Sequence, residues 1–170
     1  MSRYGQGRAY EGKAAKLLRT MGLYAIRVPL SKGYYLITSA KSDNGTTPIM
    51  KCNGDVAVWC DGGLPVPVEV KRVGGGKDCR HALSIARRRL SKHRWSETEI
   101  GMFGGRLLVM VSYRQHWFFC VYDRNRKQLY RLSYDEFCET IRSMSIALRE
   151  RLYTYNTCGL VPYDGNDSPC

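Results

Sequence analysis

Asp55, Glu69 and Lys71 are the residues whose types and spacing carry the clearest chemistry in this chain. Side chains alternate between faces along a strand, so within the strand-like run Val66–Val73, Glu69 and Lys71 project from one side. Val68 and Val70 face the other way and can enter a core. A second strand-like run, Asp55–Cys60, precedes it, and Asp61-Gly62-Gly63 between them is a strong turn signal. The two runs are therefore expected to form an antiparallel hairpin. Such a hairpin sets Asp55 across from Glu69 or its immediate neighbour. Two carboxylates and an ammonium in one place suit phosphodiester hydrolysis. Carboxylates are hard oxygen ligands for Mg²⁺, with Mn²⁺ as a substitute, and the bound metal acidifies a water and offsets charge at phosphorus. Lys71 is a compact cation able to orient that water or stabilise developing charge. Taken alone, the Glu69–Lys71 pair has a plain alternative, an exposed ion pair of little energetic weight.

The elements that must position these groups read as an alternation of helices and strands. From Gly7 to Met21 the spacing predicts a helix, with Tyr10, Ala14, Leu17, Leu18 and Met21 on one stripe and Gly22 as its stop. Glu11 falls at the border of that stripe. Tyr24–Val28 reads as a strand, and Leu30–Asn53 as an irregular connection with a short strand at Tyr34–Thr38; a connection so long is usually functional or mobile. Pro65 and Pro67 share one parity, which a strand tolerates only where that side lacks a partner. After Gly74-Gly75-Gly76 a helix is expected over Asp78–His93, with Cys79, Ala82, Leu83, Ala86 and Leu90 as its apolar stripe. Leu107–Tyr113 and Trp117–Tyr122 read as a strand pair. Ser133-Tyr-Asp-Glu136 is a capping box that opens a last helix buried along Phe137, Ile141, Met144 and Leu148. The segment after Leu152, rich in Gly, Asn, Asp and Pro, is expected to fray into a flexible tail over 153–170. The order implies one α/β or α+β domain over 1–152 around a central mixed sheet.

The 170 residues suit a single domain with its own core. Lys and Arg outnumber Asp and Glu by 27 to 15, a net charge of +12 that draws polyanions, nucleic acid above all. Ribosomal and membrane-surface proteins share such an excess, so charge alone does not decide the partner. No apolar run approaches the roughly 20 residues that span a bilayer, and the polar start lacks a signal-peptide core. An intracellular protein, in cytoplasm or nucleoid and with no membrane partner, is expected. The cysteines number seven and form no Cys-x-x-Cys pair, so they read as reduced, small apolar residues instead of zinc ligands.

Gly54-Asp55, thirteen residues, then Glu69-Val70-Lys71 resembles the PD-(D/E)XK nuclease motif, with Gly54 in place of the usual proline. Upstream, Gly7-Arg-Ala-Tyr-Glu11 and Arg27-Val-Pro-Leu-Ser31-Lys-Gly33 resemble the opening helix and the Arg- and Ser-bearing segment of archaeal-type Holliday-junction resolvases. The resemblance covers residues 7–73 and rests on four short pieces in order. It implies a single restriction-endonuclease-like α/β domain, a central mixed sheet flanked by helices. It further implies Glu11, Asp55 and Glu69 as acidic metal-site residues, Lys71 as catalytic lysine, and Ser31 and Lys32 on a loop near the scissile phosphate. Arg27 would contact the nucleic-acid backbone, and a homodimer would place two centres on a four-way junction. Such a compact nuclease suits a phage or virus as well as a cell. Departures are Gly12, where the family carries Arg, and a longer stretch from Tyr34 to Asn53.

Each of these residues keeps a plain alternative. Glu11 also reads as a solvated first-turn glutamate favoured by the helix N-terminus. Arg27 and Ser31 also read as ordinary polar residues at a strand edge and in a loop. Arg87, Arg88, Arg89, Lys92 and Arg94 crowd one helix; either they form a solvated face, or phosphate relieves their mutual repulsion, with Arg87, Arg88 and Lys92 as contacts to branched or duplex DNA. His81, His93 and His116 show no partner pattern and receive no catalytic role. A restriction-like, nicking or flap nuclease, and a non-catalytic nucleic-acid-binding module on a degenerate nuclease fold, remain alternatives to a resolvase.

Overall fold

A computed structural model of the chain describes residues 3–29, 33–37 and 49–157. The first helix, α1, spans Arg3–Thr20, and Gly22 at φ 95° turns the chain into β1, Tyr24–Arg27. Strands β2 (Tyr34–Ile37) and β3 (Ile49–Cys52) follow, then β4 (Val56–Trp59) and β5 (Val66–Val73). Helices α2 (Cys79–Leu90) and α3 (Glu97–Gly101) lead into β6 (Arg106–Tyr113), β7 (His116–Asp123), β8 (Gln128–Leu132) and the last helix, α4 (Tyr134–Thr157).

Six strands form the main sheet in the order β1-β4-β5-β6-β7-β8, while β2 and β3 pair separately. All neighbours are antiparallel except β5 and β6, which run parallel through α2 and α3. The domain is therefore α/β with a central mixed sheet, as the element order implies. The expected hairpin is present: Val56 pairs with Val68 and Val58 with Val66. Its turn places Asp61 at φ 51° and Gly62 at φ 71°, the left-handed region that glycine enters at no steric cost.

The prolines are accommodated as their shared parity requires. The Val68 carbonyl accepts from Asp55 on the β4 side, so the backbone groups of odd-numbered neighbours face β6. Pairing with β6 starts only at Val68, beyond both proline nitrogens.

Alternation along β5 and β6 divides the core in two. Val66, Val68, Val70, Leu108 and Met110 pack with Ala14, Ala15 and Leu18 of α1 and with Phe137, Ile141, Met144 and Leu148 of α4. On the opposite face Val73, Leu107, Val109 and Val111 meet Ala82, Ala86 and Leu90 of α2. Asp78 caps α2, its side chain accepting from the His81 amide at 2.8 Å. The expected capping box opens α4, with Ser133 Oγ accepting from Glu136 N at 3.1 Å and Glu136 Oε2 from Ser133 N at 2.7 Å.

Three elements go beyond the sequence expectations. The stretch 30–53, read as mostly irregular, contains β3 as a full partner of β2, and Tyr34 Oη donates to the Pro65 carbonyl at 2.8 Å. Helix α3 follows from a second capping box, Ser96–Glu99. Strand β8 completes the far edge of the sheet. The helix expected over Asp78–His93 ends at Leu90, and α4 continues to Thr157, five residues into the stretch expected to fray. No described helix is long and apolar enough to cross a membrane.

Candidate active site

Glu69 and Lys71 lie on the α2 face of β5, because Val68 and Val70 turn to the α1–α4 side. The β4–β5 ladder ends at Val56 opposite Val68, and Asp55 immediately precedes it, so the Asp55 carboxylate belongs to the same end of the sheet as Glu69. Regular pairing stops there, and the Asp55 side chain replaces it: Oδ2 accepts from the Val70 amide at 2.8 Å, while the Asp55 amide donates to the Val68 carbonyl at 3.0 Å. A buried amide is satisfied, and the carboxylate is held in one orientation. Lys71 Nζ is ion-paired with Glu69 Oε1. The structure thus brings Asp55, Glu69 and Lys71 together as the hairpin geometry requires.

Asp55 and Glu69 open on one cavity of ≈ 610 Å³, whose wall also includes Tyr35, Lys51, Asn53, His93 and Arg94. Two carboxylates therefore face a space framed by Lys51 and Arg94, an arrangement suited to phosphate beside a hard cation. Asp55 and Glu69 offer the oxygen donors a Mg²⁺ ion prefers, the remaining positions falling to water and substrate. Among the described residues, no group of three or more His, Cys, Asp or Glu is gathered as a complete metal cage. A two-carboxylate set fits Mg²⁺, which usually binds through one or two carboxylates plus phosphate oxygens.

Glu11 and Arg27 form a different contact. Glu11 is buried, and its Oε2 lies 3.6 Å from Arg27 Nη1. Arg27 is opposite Val56 in the register and shares the α1 face with Ala25. This pair borders the start of β4, just after Asp55, whose carbonyl accepts from Val28 N at 2.8 Å. Glu11 is thus no solvated first-turn glutamate, and the Arg27 guanidinium is engaged by it. Ser31 and Lys32 lie outside the described residues. Arg88 on α2 and Lys92 just past its end are exposed and Arg87 is half-buried, while Arg89 Nη1 donates to the Arg72 carbonyl at 2.6 Å. The α2 C-terminus favours cations in its last turn and offsets part of their repulsion.

His93, like Lys51, is a site residue that sequence reasoning missed. It follows α2, its amide donating to the Leu90 carbonyl at 2.9 Å. Nε2 lies 3.1 Å from Oε1 of the fully buried Glu99. Burial alone lowers the His93 pKa, but the Glu99 hydrogen bond and charge, aided by Glu69, outweigh it and hold the value above the ordinary histidine range; Lys71 opposes them. The one available signal was the Ser96-Glu-Thr-Glu99 capping box. It fixes a helix start and turns a carboxylate back toward the residues before it. Elsewhere, burial pushes the Cys52 and Cys120 thiols up to about 12, so neither is a thiolate nucleophile.

No protein-family model matches the chain, and neither curated proteins nor solved structures give a significant match.

Proposed function

We propose that the protein is a Mg²⁺-dependent, structure-selective DNA endonuclease that cuts phosphodiester bonds in four-way junctions as a homodimer. The observation that carries this reading is the meeting of Asp55 and Glu69 at one basic-walled cavity, with Lys71 beside Glu69. Asp55 and Glu69 would hold Mg²⁺, or Mn²⁺ in its place, and the bound ion would supply an acidified water and offset charge at phosphorus. The Val70 amide fixes the Asp55 carboxylate, so little reorganisation accompanies binding. Lys71 can leave Glu69 to orient the attacking water once the carboxylate is otherwise engaged. Lys51 and Arg94 draw the phosphate backbone over the cavity, and Arg87 and Arg88 of α2, with Lys92 just past its end, extend the basic surface.

Backbone contacts of this kind position DNA without reading its sequence, which agrees with selection by shape. The test is incubation with Mg²⁺ of a synthetic junction, a linear duplex and a flap, with wild type beside Asp55→Asn. Paired symmetrical nicks in the junction, lost in the variant, are expected. Cleavage confined to duplex or flap assigns a restriction-like, nicking or flap nuclease instead. A second reading, a nucleic-acid-binding module on a degenerate nuclease fold, is favoured by two observations: Glu11 pairs with Arg27, and the described residues form no group of three or more His, Cys, Asp or Glu that could hold a metal ion. DNA binding without cutting by wild type and variant alike would establish it.

A further inference from the structure

The His93–Glu99 pair has no part in the chemistry assigned to Asp55, Glu69 and Lys71, yet His93 lines the cavity on which Asp55 and Glu69 open. Glu99 is 0% exposed. Its Oε2 accepts from the Ser96 amide at 2.7 Å, which completes the capping box of α3, and its Oε1 faces His93. A buried carboxylate demands a cationic or hydrogen-bonding partner, and this one receives both. The pair also fixes the imidazole. Nε2 is committed to Glu99, the ring meets Trp95 edge-on at 5.2 Å, and Nδ1 remains as the second hydrogen-bonding nitrogen. The His93 side chain is only 10% exposed, and it contributes to the wall of the cavity that Asp55 and Glu69 share.

A capping box by itself needs no histidine, because Ser96 and Glu99 satisfy each other's amides. Placing an imidazole on the remaining carboxylate oxygen, at the edge of an anion-binding space, achieves more than capping. We propose that His93, fixed by Glu99, is a substrate-contacting residue that donates a charge-assisted hydrogen bond to a phosphate oxygen of nucleic acid lying across the Asp55–Glu69 cavity. This deepens the proposed nuclease reading and rests on it for the identity of the ligand. The charged groups facing His93 are Glu99 of α3 and Glu69 and Lys71 of β5, with Arg94 adjacent in the chain. With Arg94 and Lys51, His93 would hold the phosphate on the side opposite the carboxylates.

The alternative is that His93 only neutralises Glu99. A set of His93→Gln, Glu99→Gln and the double variant separates the two, because the double variant removes the buried charge together with its partner. Each protein is melted, then titrated against a fluorescein-labelled synthetic junction in EDTA at low salt, then assayed for single-turnover cleavage in Mg²⁺. The expected double variant melts near wild type, binds the junction about tenfold more weakly, and cuts about 10²-fold more slowly. Wild-type affinity in a folded double variant overturns the proposal and leaves His93 as a support for Glu99. If wild type binds but cuts nothing, the nuclease reading fails while the affinity comparison still decides the His93 contact; if wild type does not bind the junction, the contact is overturned as well. Should the double variant fail to fold, the ring-nitrogen NMR signals of His93 in wild type are followed during the same titration. Movement supports the contact, and signals that stay fixed at saturation overturn it.

Discussion

Gly54 stands where the resembled nuclease family carries proline, and the structure supplies a physical reason that a side chain is excluded there. A Cβ built on Gly54 would lie 2.8 Å from Pro67 Cβ, 3.1 Å from Val68 N and 3.2 Å from Pro67 Cα. The first contact is about 0.7 Å short of the 3.5 Å at which two carbons attract. Neither neighbour can yield cheaply. Pro67 has a rigid ring, and β5 is pinned between β4 and β6. Overpacking of this kind costs about 1–3 kcal/mol. Pushing the 54–55 backbone away also strains Asp55 N→Val68 O and Val70 N→Asp55 Oδ2, each worth about 1 kcal/mol. Gly54→Ala is therefore expected to lose about 2–4 kcal/mol, measured by urea unfolding as a lower midpoint at constant slope. For a domain of this size the melting temperature should fall by about 5–15 °C. Pro67→Gly removes the nearest contact, so the alanine should cost less in that background, a coupling readable from a double-mutant cycle. An unchanged midpoint for Gly54→Ala would refute the close approach of residues 54 and 67, and with it the placement of Asp55 against β5.

Two further outcomes follow from the electrostatics. The His93 ring should titrate above the ordinary histidine value of about 6.5 when followed by NMR, and Glu99→Gln should bring it down. Because the folded value is the higher one, this charge stabilises the fold below the ordinary histidine range, and the stabilisation is lost as pH rises through the raised value; a ring that titrates lower than a free histidine contradicts the pairing. Replacing Arg87, Arg88 and Lys92 with Gln should weaken DNA binding for all sequences alike and reduce the slope of log affinity against log salt by about 2–3, checked by fluorescence titration at several salt concentrations; an unchanged slope removes α2 from the interface.

What was legible in the sequence was whatever local spacing determines. The turn at Asp61-Gly62-Gly63 sets the β4–β5 register, and that register alone predicts the meeting of Asp55 with Glu69. Period 3.6 in the last helix marks Phe137, Ile141, Met144 and Leu148, and all four are buried. Strand β8 escaped notice because Gln128–Leu132 is an edge strand with no fully buried residue, so it lacks the alternation that burial imposes. Helix α3 has five residues, too few for a period to show. The His93–Glu99 contact crosses the turn between two helices, where no spacing rule applies. Glu11 presents the subtler case. Its place on the border of the apolar stripe left burial and solvation both open, and its partner Arg27 comes from the neighbouring strand and depends on how α1 packs on the sheet.

The most direct test of the central claim is the cleavage of a labelled four-way junction by wild type and Asp55→Asn, with Mg²⁺ and with EDTA. Asn keeps the shape of the side chain and an oxygen for the Val70 amide, but removes the charge a metal ion requires. Paired nicks by wild type in Mg²⁺ only, a loss of at least about 10²-fold in the variant, and equal junction affinity for both proteins in EDTA are expected. Equal cleavage by the two proteins, or none by either under conditions where both bind, would contradict the claim.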